Sequence, residues 1–178
     1  RWHLGTTLAA LGRDAEAGRQ FAAGLERAMS PMASPQVRVE GGLCAHALAA
    51  LRFAEDDVPG AEAAIAAGLT LHPENHALRW LRARHLLACG DAAAAIAELE
   101  PLAGTDPARF FDPAIAYERR LFGADTAGLL GAAHFRRGDY PAAADWFERA
   151  ARDDPHTDEW RAKAALARAR SDRVENPG

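Results

Sequence analysis

The feature that most constrains this chain is an internal repeat. Residues 138–155, GDYPAAADWFERAARDDP, follow the same plan as residues 90–107, GDAAAAIAELEPLAGTDP: a Gly-Asp opening, an alanine-rich helical run and a closing Pro. Three sets of markers put that plan on one register. The closing prolines Pro73, Pro107 and Pro155 are separated by 34 and 48 residues, the second gap being one 34-residue period plus 14. Small residues at Gly5, Ala49, Ala83 and Gly131 give gaps of 44, 34 and 48, where 44 is one period plus 10. The trios Ala17-Phe21-Gly24, Ala61-Ile65-Gly68, Ala95-Leu99-Leu102 and Ala143-Phe147-Ala150 complete the set, and their internal spacings of four and three put each trio on one helical face. A period of this length describes stacked supersecondary units, each unable to hide its apolar side alone.

Local chemistry gives each unit its shape. After HFRR, Gly138 can take the left-handed conformation that ends a helix, and Asp139 can cap the next one. Pro141 falls in the first turn, where its missing donor costs little, and Pro155 pushes Asp154 out of helical geometry. Ala143 and Ala150 allow close helix approach while Phe147 fills the gap. Residues 157–171, TDEWRAKAALARARS, form an amphipathic helix with Trp160, Ala164 and Leu166 or Ala167 near one face and Arg161, Lys163, Arg168 and Arg170 elsewhere, as expected of a cap on the last unit. Residues 172–178 are expected to fray.

Composition agrees with an all-α chain. Of the 178 residues, 49% are hydrophobic, enough for a continuous core, and much of that share is helix-favouring alanine rather than β-branched or aromatic. A net charge of −4 gives no long-range attraction to nucleic acid or anionic lipid, so neither is expected as a partner. The apolar runs fall short of the roughly 18–20 residues a membrane helix needs, and no signal peptide is expected. Cys44 and Cys89 sit inside helical stretches and read as buried free thiols, which suits a cytoplasmic setting. An opening at Arg1, in mid-pattern, reads as a piece of a longer chain.

The 34-residue plan resembles the tetratricopeptide repeat, over nearly the whole chain. The best copy is residues 124–157, with Leu130, Gly131, Gly138, Tyr140, Ala143, Phe147, Ala150 and Pro155 in the family's positions. Further copies fall at about 1–31, 42–75 and 76–109. In the third, Arg79 and Arg82 stand where the family places apolar side chains, so its first helix is expected to be rotated or shifted. The resemblance implies an all-α fold of helix-turn-helix copies stacked as a right-handed α-α superhelix with a C-terminal capping helix. It also implies an interaction scaffold rather than a catalyst.

Two insertions interrupt the period. SPMASPQVRVEGG reads as an early helix start, with Ser34 as cap and Pro35 in the first turn. Residues 110–123 concentrate Phe110, Phe111, Tyr117, Leu121 and Phe122, and either pack among the copies or dock a partner. Tyr117, Arg120 and Phe122, followed by Gly131, Gly138, Arg161 and Lys163, are similar to the C-terminal repeat regions of bacterial family-2 glycosyltransferases. That resemblance implies an accessory region contributing to acceptor binding, with the catalytic domain upstream.

No catalytic or metal-ligating constellation emerges from the spacing. Only His72 and His76, among the seven histidines, stand one turn apart, and Pro73 separates them; EDD and RDDP fall at helix ends, where carboxylates cap. Neither cofactor nor metal is expected. In the tetratricopeptide family ligands lie along the first helices of the copies. The positions that map there include His46, Phe53, Trp80, Arg84, Leu87, Phe135 and Arg136, with Tyr117 and Arg120 added by the insertion. The asparagines that clamp a partner's terminal carboxylate in some members are replaced by Thr6, Ala50, Arg84 and Ala132. The expected partner is a protein or peptide segment, or a neighbouring domain. The rival expectation is a stand-alone enzyme using groove histidines such as His46 or His134.

Overall fold

A computed structural model of the protein describes residues 1–105, 121 and 123–175. Its regular elements there are all helices: α1 Trp2–Ala10, α2 Asp14–Met29, α3 Pro35–Ala54, α4 Val58–Leu71, α5 His76–Ala88, α6 Ala92–Ala103, α7 Ala124–Arg136, α8 Tyr140–Asp153 and α9 Asp158–Glu175. The chain divides into two compact units, with the boundary inside α5 between Leu81 and Arg82.

One turn is built four times. Gly12, Asp56, Gly90 and Gly138 carry positive φ of 71°, 62°, 92° and 81°, at gaps of 44, 34 and 48, the same as those of the sequence markers. At each, the following residue donates its N–H to a carbonyl five residues back: Arg13 to Leu8, Asp57 to Arg52, Asp91 to Leu86 and Asp139 to His134, at 2.8–3.0 Å. This Schellman closure satisfies carbonyls that the end of a helix leaves open. Glycine suits three of the turns because the left-handed region penalises a Cβ; Asp56 occupies the fourth, as a short polar residue can. Asp57, Asp91 and Asp139 then cap α4, α6 and α8, accepting from Gly60, Ala94 and Ala142 at 3.0, 3.0 and 3.3 Å. Arg13 provides no such cap to α2.

The first unit contains the pairs α1/α2 and α3/α4 and the start of α5. Phe21, Leu25, Ile65, Leu78 and Leu81 form the heart of its core, and a fully buried Leu or Ile of this kind contributes roughly 1.5–3 kcal/mol. The first insertion is absorbed as expected: Ser34 accepts from Val37 at 3.4 Å, Pro35 opens the helix, and α3 runs for 20 residues. His72 and Asp154, each before a Pro, leave helical geometry with φ −141° and −133° and stop α4 and α8.

In α5, Ala83 is fully buried, and Leu78 and Leu81 supply the buried apolar bulk. Arg79 and Arg82 remain half-exposed. Arg82 meets Glu98 of α6 at 3.2 Å. Asn75, which the sequence pattern does not flag, is buried and accepts from the Leu78 N–H at 3.2 Å, capping α5 from inside.

In the second unit, α7 packs against α6 and α8, and α8 against α9. The last helix forms but runs on to Glu175, so residues 172–175 are helical and not frayed as expected; Ala164 and Ala167 are the residues buried against α8, whereas Leu166 is 53% exposed. Cys44 is buried as anticipated, but Cys89 is exposed, because it lies at the open end of α5 beside Gly90.

Candidate functional site

Two close helix approaches set up the surface of the second unit. Gly131 of α7 faces Phe147 of α8 so tightly that a Cβ at 131 would stand 2.7 Å from the ring. One turn earlier Gly128 faces Trp160 of α9, where a Cβ would stand 2.5 Å from the indole. These two glycines bring α8 and α9 onto the same helix. The Phe147 and Trp160 rings stack with centroids 6.5 Å apart and planes at 17°. Lys163 then lies over both, 4.9 Å from the Trp160 ring and 5.9 Å from that of Phe147.

Between α7 and α9 this leaves a cleft of about 230 Å³ lined by Ala132, Phe135 and Arg136 of α7, Phe147 of α8, and Lys163 and Leu166 of α9. Phe135 is held edge-on by Tyr140, with centroids 5.1 Å apart. The Arg136 guanidinium donates to the Leu87 carbonyl at the end of α5. Lys163 pairs with Glu159 at 2.6 Å; that hydrogen bond, then the ammonium charge, holds the Glu159 carboxyl below the usual carboxylate range. The walls are therefore apolar and the rim carries two cations.

The expected site residues separate into several groups. Phe135 and Arg136 line the cleft together. The Leu87 side chain is buried, 7% exposed, and its carbonyl accepts from Arg136. Arg136 is accordingly tied to the end of another helix instead of standing as an isolated anion contact. Arg149 does the same for α6, donating to the Ala103 carbonyl at 2.6 Å. Both arginines complement the negative end of a helix in the preceding pair.

Arg84 is exposed on the second unit. His46, Phe53 and Trp80 are half-buried in the first unit, and Phe53 packs on its core. Tyr117 and Arg120 lie outside the described residues, as do Phe110, Phe111 and Phe122 of the second insertion and the marker Pro107 before it. Lys163 and Leu166 were not placed at a site by the sequence, although their spacing of three on one helix was the available signal.

Other polar clusters serve the fold. His134 bonds Asp139 at 3.1 Å across the turn, and His72 meets the Arg38 carbonyl at 2.8 Å. His85 lies 3.3 Å from Cys89. Burial pushes the His76 pKa down and the Cys44 thiol up to about 11. A second depression, of about 340 Å³, has Leu25, Met29, Leu48 and Ala64 at its base and Glu26 and Arg52 at its edge. Among the described residues no group of three or more His, Cys, Asp or Glu is disposed to hold a metal ion, and no helix is long and apolar enough to cross a membrane.

The chain matches no family model, no curated protein and no solved structure.

Proposed function

We propose that the chain is a non-catalytic interaction scaffold of the tetratricopeptide type, which binds a protein or peptide segment along the first helices of its copies. The observation that carries this reading is the apolar cleft on α7. Phe135 and Ala132 are only half-buried and line an opening, whereas the second helices direct the trios Ala17-Phe21-Gly24, Ala61-Ile65-Gly68, Ala95-Leu99-Leu102 and Ala143-Phe147-Ala150 wholly into the packing. A helix pair whose second member is fully committed inward has its first member left to meet a partner. Both cysteines are free, which suits a cytoplasmic setting.

Selection of random displayed peptides against the chain, followed by hydrogen exchange of the complex, tests this reading. Protection gained on first helices such as α7 supports it. Protection confined to second helices, or a turnover of nucleotide sugar that His46→Ala or His134→Ala abolishes, contradicts it.

A further inference from the structure

We infer that the cleft between α7 and α9 takes one large apolar side chain from an acidic peptide segment of another protein, with α9 forming half of the binding site rather than serving only as a cover. The inference rests on the scaffold reading and assigns its partner a chemistry. Size is the first argument. About 230 Å³ lies below the roughly 300–1,000 Å³ of small-molecule pockets and suits a single Leu-, Met- or Phe-sized side chain.

The lining is the second argument. Ala132, Phe135, Phe147 and Leu166 offer carbon surface, and Leu166 is left 53% exposed although Ala164 and Ala167 on the same helix are buried. A helix acting only as a cover has no use for a leucine turned away from what it covers; one that walls a cleft does.

Charge at the rim is the third. Arg136 and Lys163 flank the opening from opposite helices, and Arg170 stands exposed one turn beyond Leu166. Glu159 engages the Lys163 ammonium at 2.6 Å, through a pair with 61% of the carboxylate side chain exposed. A guanidinium has five N–H donors, and the Leu87 carbonyl engages Nη1 of Arg136. An apolar anchor next to an Asp or Glu therefore meets carbon below and cations at the edge, which disfavours a basic or an uncharged competitor.

The test uses the full chain and random displayed peptides as the probe. Recovered peptides are expected to carry Leu, Ile, Met or Phe next to Asp or Glu. Leu166→Arg and Lys163→Glu, both at solvent-accessible positions, are each expected to weaken binding about tenfold or more with the helical circular-dichroism signal unchanged. Lys163 is the chain's only lysine, so bound peptide should also slow its acetylation. Peptides that bind without acidic residues, or whose binding ignores Leu166→Arg, overturn this inference while leaving a scaffold that binds elsewhere. Recovery of no peptide at all overturns both readings. Self-association of the wild-type chain that Leu166→Arg abolishes would assign the cleft to a second copy and overturn the acidic-peptide assignment.

Discussion

Gly131 and Phe147 fit together as backbone against ring, with a Cβ at 131 placed 2.7 Å from the aromatic edge. Gly5 and Phe21 repeat the relationship in the first helix pair, where an added Cβ would again overlap the ring. In the middle copies the corresponding residues are aliphatic on the second helix, Ile65 and Leu99, and alanine on the first, Ala49 and Ala83, all of them fully buried. The repeat register thus pairs glycine with an aromatic ring in the outer copies and alanine with a branched aliphatic chain in the middle ones. Gly131→Ala should destabilise the protein by about 1–3 kcal/mol through overpacking, and Ala49→Gly by about 1–2 kcal/mol for the opposite reason, backbone entropy plus the loss of a buried methyl. Urea denaturation of the two variants checks both values.

The four turns predict the effect of making them alike. Asp56 is the non-glycine residue among the four left-handed positions, at φ 62°. Asp56→Gly should therefore stabilise the chain, by about 0.5–1 kcal/mol, with relief of the αL penalty outweighing the extra unfolded-state entropy. Asp57→Ala next to it should cost about 1 kcal/mol by removing the cap on α4. Thermal melts of the pair should move in opposite directions.

His76 makes stability depend on pH. Burial lowers its pKa below the ordinary 6.5; Glu74 opposes that shift and Arg79 adds to it. The unfolded chain then binds a proton more readily than the folded one, so stability falls as pH drops through 6.5 and levels off below the folded value. Melting temperatures of wild type and His76→Gln, compared between about pH 7 and about pH 5, should converge as the acid is added, because only the wild type loses this term.

The two thiols should react very differently. Cys44 packs against Gly24 with its side chain buried, and desolvation, followed by the charge of Glu40, pushes its thiol up to about 11. Cys89 is exposed. At about pH 8 a disulfide reagent should titrate Cys89 in the folded chain and reach Cys44 only with denaturant.

Trp160 separates packing from hydrogen bonding. Its indole Nε1 is buried and finds no acceptor among the described residues, so Trp160→Phe forfeits no such bond there and should cost only about 1–2 kcal/mol, from the benzo-ring atoms lost over Gly128. Trp160→Ala removes the stack on Phe147 and empties the space over Gly128, with an expected loss of about 2–4 kcal/mol. Melts of both variants, together with the cleft-binding assay, should show α9 loosening only in the second.

Much of this fold is legible in the sequence because its punctuation is chemical. Gly138, Asp139 and Pro141 each perform at the turn what their residue type allows, and all twelve residues of the four helix-contact trios are buried. The candidate site is less legible, for a physical reason. Alanine covers several sides of these helices, so the apolar pattern does not choose a face, and Leu87 could be read as groove-lining although it is buried. The same low contrast left Leu166 and Ala167 indistinguishable as contacts of α9. The bond from Arg136 to the Leu87 carbonyl and the buried cap by Asn75 depend on backbone atoms of other turns, which no side-chain spacing encodes.

The claim beneath both functional readings is that the described residues hold four copies of one helix pair in a single register. A double-mutant cycle on Gly131→Ala and Phe147→Ile tests it most directly, since together they rewrite the contact of the last copy as that of the second, Ala49 with Ile65. If the copies are equivalent, the double variant should be more stable than the sum of the single losses by roughly 1–2 kcal/mol. Additivity within about 0.3–0.5 kcal/mol would contradict it.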